Sequence, residues 1–158
     1  MPVHNEDIAV IFEQMADLLE VEEANPFRVR AYRNAARTVR ALGRELSEML
    51  AEGRDLTELS GIGKDLAAKI AEIIATGHAE ALDKLHKQVP AGLEALLRIP
   101  GLGPKRVKAL YHDLHIKSVK QLESAAKRGR IRDLPGFGAK TEQRMLEAVA
   151  ADRGSEKR

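Results

Sequence analysis

The sequence predicts an all-α fold built from small helical domains. Apolar residues recur at three- and four-residue spacing along most of the chain, as on the buried face of an amphipathic helix. Of the 158 residues, 44% are hydrophobic but only 3% are aromatic, so the core has to be aliphatic and rich in alanine. Alternating strand patterns are missing, which argues against a β-sandwich or β-barrel. The length suits one mid-sized domain or two small ones and excludes a multidomain enzyme of ordinary size.

The predicted helices follow one another with short gaps. The first spans about residues 8–19, where the apolar members share one face. For the second, Asn25 is the N-cap, Pro26 takes the first helical position and Gly43 marks the end. Further helices are predicted at residues 45–51, 64–75, 78–88, 92–97, 104–114, 119–127 and 139–150, and a polar tail at 151–158.

Cysteine usage and the N-terminal segment indicate where the protein works. The chain has no cysteine, which excludes disulfides, thiolate zinc sites and cysteine nucleophiles. Residues 1–17 hold four acids and no Lys or Arg, unlike a signal peptide. No window approaches the roughly 18 apolar residues of a membrane span. We therefore expect a soluble, cytoplasmic protein with no membrane partner.

Charge is distributed unevenly near the N-terminus, although the net charge is only +2. Residues 1–24 carry seven acids and no Lys or Arg, whereas residues 25–44 carry six arginines and no acid. The arginines are Arg28, Arg30, Arg33, Arg37, Arg40 and Arg44. Such segregation produces a strong local potential, for which a phosphate backbone is the usual partner. The alternative is an acidic helix packed beside a basic one.

One five-residue pattern occurs three times, at residues 59–63, 99–103 and 134–138. Each copy is an apolar residue, Ser or Pro, Gly, an apolar residue and Gly, directly before a predicted helix. The first glycine supplies a positive φ for a tight turn, and the second lets a phosphate approach the backbone. The six glycines are Gly61, Gly63, Gly101, Gly103, Gly136 and Gly138.

Basic residues follow each copy of the pattern. They are Lys64 in the first copy, Lys105, Arg106 and Lys108 in the second, and Lys140 and Arg144 in the third. Unpaired N–H groups and the dipole at a helix start favour an anion there, so each copy predicts a phosphate site that reads no bases. No strand precedes the glycines, which argues against a dinucleotide-binding loop. The alternative is a tight turn between helices that needs glycine only for packing.

The three glycine turns resemble the helix-hairpin-helix motif, which binds DNA phosphates without sequence preference. From about Ile8 to Val149, the chain also resembles the N-terminal region of the bacterial and archaeal type of family X DNA polymerases, which are relatives of polymerase β. The segments that carry this resemblance are residues 25–33, 61–64, 67–70, 75–77, 98–105, 136–138 and 140–142. It implies a lyase-type domain over residues 1–88 and a SAM-like, DNA-binding subdomain with the second and third motifs over 89–150.

For function, the resemblance implies a grip on gapped, nicked or primer-template DNA for gap-filling repair. Arg28, Tyr32 and Lys64 would hold the 5′-phosphate of the gap. A monovalent cation, Na⁺ or K⁺, would bind at hairpin carbonyls near Ile99 and Gly101, and no metal site made of side chains is expected. Mg²⁺ is needed only by the polymerase palm, which has no counterpart in this chain, so no nucleotidyl transfer is assigned to it.

Two other functions stay open. One is deoxyribose-phosphate lyase chemistry, in which Lys69, at the position of the family's nucleophile, would form a Schiff base with the sugar aldehyde of abasic DNA. Such a lysine needs a pKa far below the free value of about 10.4. Asp65 lies four residues earlier on the same helix face, where an ion pair would raise that pKa instead. Asp65 and Thr57 both stand where polymerase β has a basic residue. The other function is a helical protein-interaction module, whose partner the sequence does not indicate.

Overall fold

The computed structural model describes residues 2–22 and 24–156. Among these residues the chain forms nine α-helices and one short 3-10 helix, with no strand. The predicted all-α fold is therefore confirmed. The chain divides into two compact units, Met1–Gln88 and Val89–Arg158.

The first unit is built around two long helices that pack along each other. Its helices are α1 Asn5–Val21, α2 Pro26–Ala41, α3 Leu46–Ala51, the 3-10 helix Leu56–Glu58, α4 Lys64–Thr76 and α5 Glu80–Gln88. α1 packs against α2 and also contacts α5. Large apolar side chains of α1 and α4, among them Phe12, Met15 and Ile70, are fully buried and form the aliphatic core that the composition predicts.

Local sequence signals set the ends of these helices. The Asn25 side chain accepts a hydrogen bond from the Phe27 N–H (2.9 Å), and Pro26 takes the first position of α2. α4 ends at Gly77, which has a left-handed conformation (φ +83°) that closes the helix. α2 therefore begins where the sequence predicts.

Half of the six arginines of residues 25–44 pair with acids of the same unit. The ion pairs are Arg33 with Asp17 and Glu20, Arg40 with Glu6 and Glu13, and Arg44 with Glu48 and Glu52. For Arg33 and Arg40, the structure shows an acidic helix packed beside a basic one. Arg28, Arg30 and Arg37 have no carboxylate partner among the described residues. Of the six arginines, only these three therefore carry a positive charge that no described carboxylate neutralises.

The described residues of the second unit form four helices. They are α6 Ala91–Leu97, α7 Pro104–Leu114, α8 Val119–Lys127 and α9 Ala139–Glu156. α6 packs against α7 and α8, and α9 packs against α8. Gly92 brings α6 against the start of α8, because a Cβ there would lie 1.9 Å from the Lys117 carbonyl oxygen.

Two features differ from the prediction. The 3-10 helix before α4 was not predicted, and α9 continues to Glu156, so residues 151–156 are helical rather than a polar tail. No proline follows Ala150, and Gly154 alone costs a helix only about 1 kcal/mol. No helix in the described part of the chain is long and apolar enough to span a membrane.

Candidate nucleic-acid interface

The three repeats form turns of the same geometry. Gly61, Gly101 and Gly136 have φ values of +76°, +87° and +82°, in the left-handed region that the repeat predicts. In each turn, the N–H after this glycine donates to the carbonyl three residues earlier. These bonds are Ile62 to Leu59 (3.1 Å), Leu102 to Ile99 (3.0 Å) and Phe137 to Leu134 (3.0 Å).

The second glycine of each turn leaves open space in front of a helix start. Gly63 and Gly103 precede α4 and α7 with φ values of −88° and −85°, which any residue can adopt. A Cβ added at Gly63, Gly103 or Gly138 would meet nothing within 4 Å. No side chain caps α4 or α7, so their first N–H groups stay available to an anion. These glycines are therefore not required for internal packing.

The charges around the turns differ from one to the next. After the first glycine turn, exposed Lys64 is followed directly by Asp65, which brings a negative charge to the start of α4. The first turn of α7 carries no acid, and Lys105 and Arg106 are exposed there. Lys140 and Arg144 are exposed on α9, whereas Lys108 is half-buried and already interacts within the protein. The second hairpin is thus the most positive of the three.

The carbonyls of the second turn already have hydrogen-bond donors. Ile99 accepts from the Leu102 N–H, and Gly101 accepts from Nη1 of Arg106 at 2.8 Å. A Na⁺ or K⁺ ion at the Gly101 oxygen would have to displace this guanidinium, because two cations repel each other, and a cation site there stays a prediction. A cation at the Ile99 carbonyl stays a prediction. In the described part of the chain, no cluster of side chains could hold a metal ion.

Glu142 holds the segment before the third turn, a role that the sequence did not indicate. Its side chain is 3% exposed and accepts hydrogen bonds from the Ile131 N–H (3.2 Å), the Arg132 N–H (3.0 Å) and the Arg132 guanidinium (2.7 Å). The hydrogen bond from the Arg132 side chain is the main reason that the pKa of Glu142 is lowered. The only signal in the sequence was that Glu142 is the one acid between the basic residues Lys140 and Arg144.

The first unit has a groove of about 530 Å³ with mixed charge. Its charged lining residues are Arg28, Lys69, Lys84, Glu22, Asp65, Glu72 and Glu80. Two of the predicted site residues, Arg28 and Lys69, therefore meet in one groove. Lys64 does not line this groove, so the structure does not bring it together with Arg28.

Lys69 is tied to Asp65 within this groove. Its Nζ donates to both carboxylate oxygens of Asp65 at 2.8 Å, and its side chain is 17% exposed. Burial lowers the pKa of the Lys69 amine, but the hydrogen bond and charge of Asp65, together with Tyr32, outweigh it and raise the pKa. The amine is therefore held in its protonated, non-nucleophilic form.

Tyr32 has both a structural and a local electrostatic role. It is 3% exposed, and its ring packs in a tilted arrangement on Phe12 with centroids 5.8 Å apart. It is also among the groups that raise the pKa of Lys69. Its ring thus belongs to the core, while its interaction with Lys69 reaches the groove.

Comparison with known proteins agrees with this geometry. Residues 3–79 match a family model described as a helix-hairpin-helix domain, and residues 93–151 match a SAM-like helix-hairpin-helix tandem. The DNA polymerase/3′-5′ exonuclease PolX of Bacillus subtilis (strain 168) is 39% identical over 147 residues, which cover 93% of this chain. The chain spans 25% of the length of that relative. With one glycine turn in its first unit and two in its second, the chain belongs to the helix-hairpin-helix proteins and is similar to the N-terminal part of a family X DNA polymerase.

Proposed function

We propose that the chain binds the DNA backbone without sequence preference and positions DNA for a family X polymerase. The helix-hairpin-helix domains and the similarity to a polymerase support DNA binding. The observation that carries the proposal is the second turn, where the open position at Gly103 meets an uncapped helix start whose first turn has no acid. Such a start offers N–H donors and a positive potential to a phosphate.

We further propose that the preferred DNA is gapped or nicked, as in gap-filling repair, with its 5′-phosphate at the groove of the first unit. Arg28 supports this, because it lines the groove without a carboxylate partner among the described residues. Its guanidinium can bind a phosphate with two parallel hydrogen bonds. Lys69 and Lys84 are less available, since they pair with Asp65 and Glu80.

Titration with a gapped duplex, with and without a 5′-phosphate, across a salt series tests both statements. Backbone binding predicts that log affinity falls linearly with log salt, by about 0.9 for each phosphate contacted. The 5′-phosphate should strengthen binding to the native chain but not to Arg28→Gln, while Arg37→Gln serves as a matched control outside the groove. Weak binding that is independent of salt would contradict the proposal and favour a protein-interaction module.

A lyase activity through Lys69 is a second candidate, because Lys69 shares the groove with Arg28. The ion pair with Asp65 opposes it by raising the pKa of the amine. If the lysine is otherwise well placed, Asp65→Asn should lower that pKa and increase trapping of the protein on abasic DNA by borohydride. Lys69→Ala is the control, since it removes the amine that forms the Schiff base. No adduct with Asp65→Asn at any pH up to about 9 would exclude Lys69 as a nucleophile.

A further inference from the structure

One arginine of the second unit touches two glycine turns at once. Arg106, in the first turn of α7, donates from Nη1 to the carbonyl of Gly101 at 2.8 Å. Its guanidinium carbon also lies over the ring of Phe137, 5.8 Å from the centroid. Phe137 is the apolar residue of the third turn, so the side chain joins the second turn to the third.

The third turn differs from the others in a way that suits this contact. Ile62 and Leu102, the apolar residues of the first and second turns, are 3% and 4% exposed, whereas Phe137 is half-buried. A guanidinium stacks well on a partly exposed aromatic face, and its planar fork leaves donors for a carbonyl at its edge. A lysine could keep the charge but could not make both contacts in this geometry.

The Arg106 side chain links the second and third turns directly, whereas the helices that follow these turns pack separately. The helices that follow the turns, α7 and α9, pack on different partners, α6 for the first and α8 for the second. The backbone of each turn therefore depends on its own helix pair. The side chain of Arg106, which starts from the first turn of α7, contacts both glycine turns directly.

We propose that Arg106 is a positioning residue that fixes the second and third turns relative to each other, so that both bind one DNA backbone together. This inference rests on the proposed function. Two linked sites bind a common ligand far better than either alone, but only when their spacing matches that ligand. Arg106 then acts through Gly101 and Phe137 and is not itself a phosphate ligand.

The test compares DNA affinity for Arg106→Lys, Arg106→Ala, Phe137→Leu and the Arg106→Lys/Phe137→Leu double variant. We expect each single change to lower affinity about tenfold and the double change to add nothing further, as for residues that act as one unit. Arg106→Lys and Arg106→Ala should lower the salt slope by the same amount, since each breaks the contact with the third turn. Circular dichroism melts confirm that the variants fold.

Lys105→Gln is the matched control, because Lys105 is exposed and adjacent in sequence. It should lower the salt slope by about 0.9 and do so independently of Phe137→Leu. The inference would be overturned if Arg106→Lys kept native affinity while Arg106→Ala lowered the salt slope by the contribution of one phosphate. Arg106 would then be a phosphate ligand. If the unaltered chain shows no salt-dependent DNA binding, the proposed function fails, and the role of Arg106 fails with it.

Discussion

At the scale of single residues, the two glycines of each turn serve different purposes. Gly101 has a positive φ that the fold requires, whereas Gly103 has an ordinary conformation and open space where its Cβ would be. We predict that Gly103→Val changes the free energy of unfolding by less than about 1 kcal/mol, since only the helix cap is affected. Its DNA affinity should nevertheless fall at least about tenfold, because the side chain fills the space of a phosphate.

Two controls separate folding from binding in this comparison. Gly101→Ala should destabilise the chain by roughly 1–2 kcal/mol, the cost of a left-handed conformation for an L-residue. Gly43→Val places the same side chain in open space outside the turns and should leave affinity unchanged. Urea unfolding and DNA titration of each variant check these values. Native affinity in a folded Gly103→Val chain would contradict a phosphate contact at this turn.

Glu142 gives the second unit a stability that depends on pH. Its pKa is lowered in the fold, mainly by the Arg132 side chain, so the ionised form is favoured in the folded state. The contribution is fully present above the unfolded pKa of about 4.3 and is lost as the pH falls through the lower folded value. Glu142→Gln should lower the free energy of unfolding by about 2 kcal/mol near pH 7 and by less near pH 3. The substitution removes charged hydrogen bonds only where the carboxylate is ionised. Unfolding curves at both pH values measure this, and an equal loss at both would exclude the charge as the cause.

Residue roles were predictable where they depend on near neighbours in sequence. The left-handed glycines and the Asp65–Lys69 ion pair follow from spacing alone, and the structure shows both. Glu142 and the link from Arg106 to Phe137 could not be predicted, because each joins segments whose separation is set by tertiary packing. The roles of the glycines and of Arg28 in binding DNA stay predictions.

At the scale of elements, the spacing of apolar residues predicted most of the helices, and capping by Asn25 with Pro26 predicted the start of α2. Pro104 and Ser118 mark the starts of α7 and α8, and the Ser118 hydroxyl caps α8 by accepting from Gln121 N–H (3.2 Å). The 3-10 helix escaped prediction because three residues carry no periodic pattern. Its start is fixed by Asp55, whose side chain accepts from the Thr57 N–H at 3.0 Å.

The packing of α6 on the start of α8 depends on one missing side chain. A Cβ at Gly92 would lie 1.9 Å from the Lys117 carbonyl oxygen and 3.3 Å from the Ser118 Cα. Both are backbone atoms, so the strain cannot be relieved by a change of rotamer. We predict that Gly92→Ala destabilises the second unit by about 3 kcal/mol, the upper range for overpacking.

Thermal unfolding measures the effect of Gly92→Ala, and Gly43→Ala is the control in open space. The variant should also lose DNA affinity, because α6 and α7 frame the second turn. A Gly92→Ala variant that melts like the native protein would show that the two helices can separate without cost.

At the scale of the whole molecule, each unit has its own buried core and its own glycine turns. Separated between Gln88 and Val89, each half should keep its helical circular dichroism signal and melt cooperatively. Residues 89–158 should retain salt-dependent binding to plain duplex, since they hold the most positive turn. Dependence on a 5′-phosphate should appear only with residues 1–88, and its appearance in the other half would contradict the assignment to the groove of Arg28.

The pairing of α1 with α2 bears on how the protein responds to ionic strength. The α1 carboxylates neutralise Arg33 and Arg40, as the phosphates of a nucleic acid would, but they belong to the same chain. An arginine that is already paired with a carboxylate does not displace the cations condensed on a DNA phosphate, so it adds nothing to the salt dependence of binding. The salt slope should therefore be set by Arg28, Arg30, Arg37 and the cations of the turns other than Arg106, rather than by all 26 basic residues. α1 therefore acts as a fixed counterion for Arg33 and Arg40, and it restricts the binding of polyanions to the surfaces that carry the other cations.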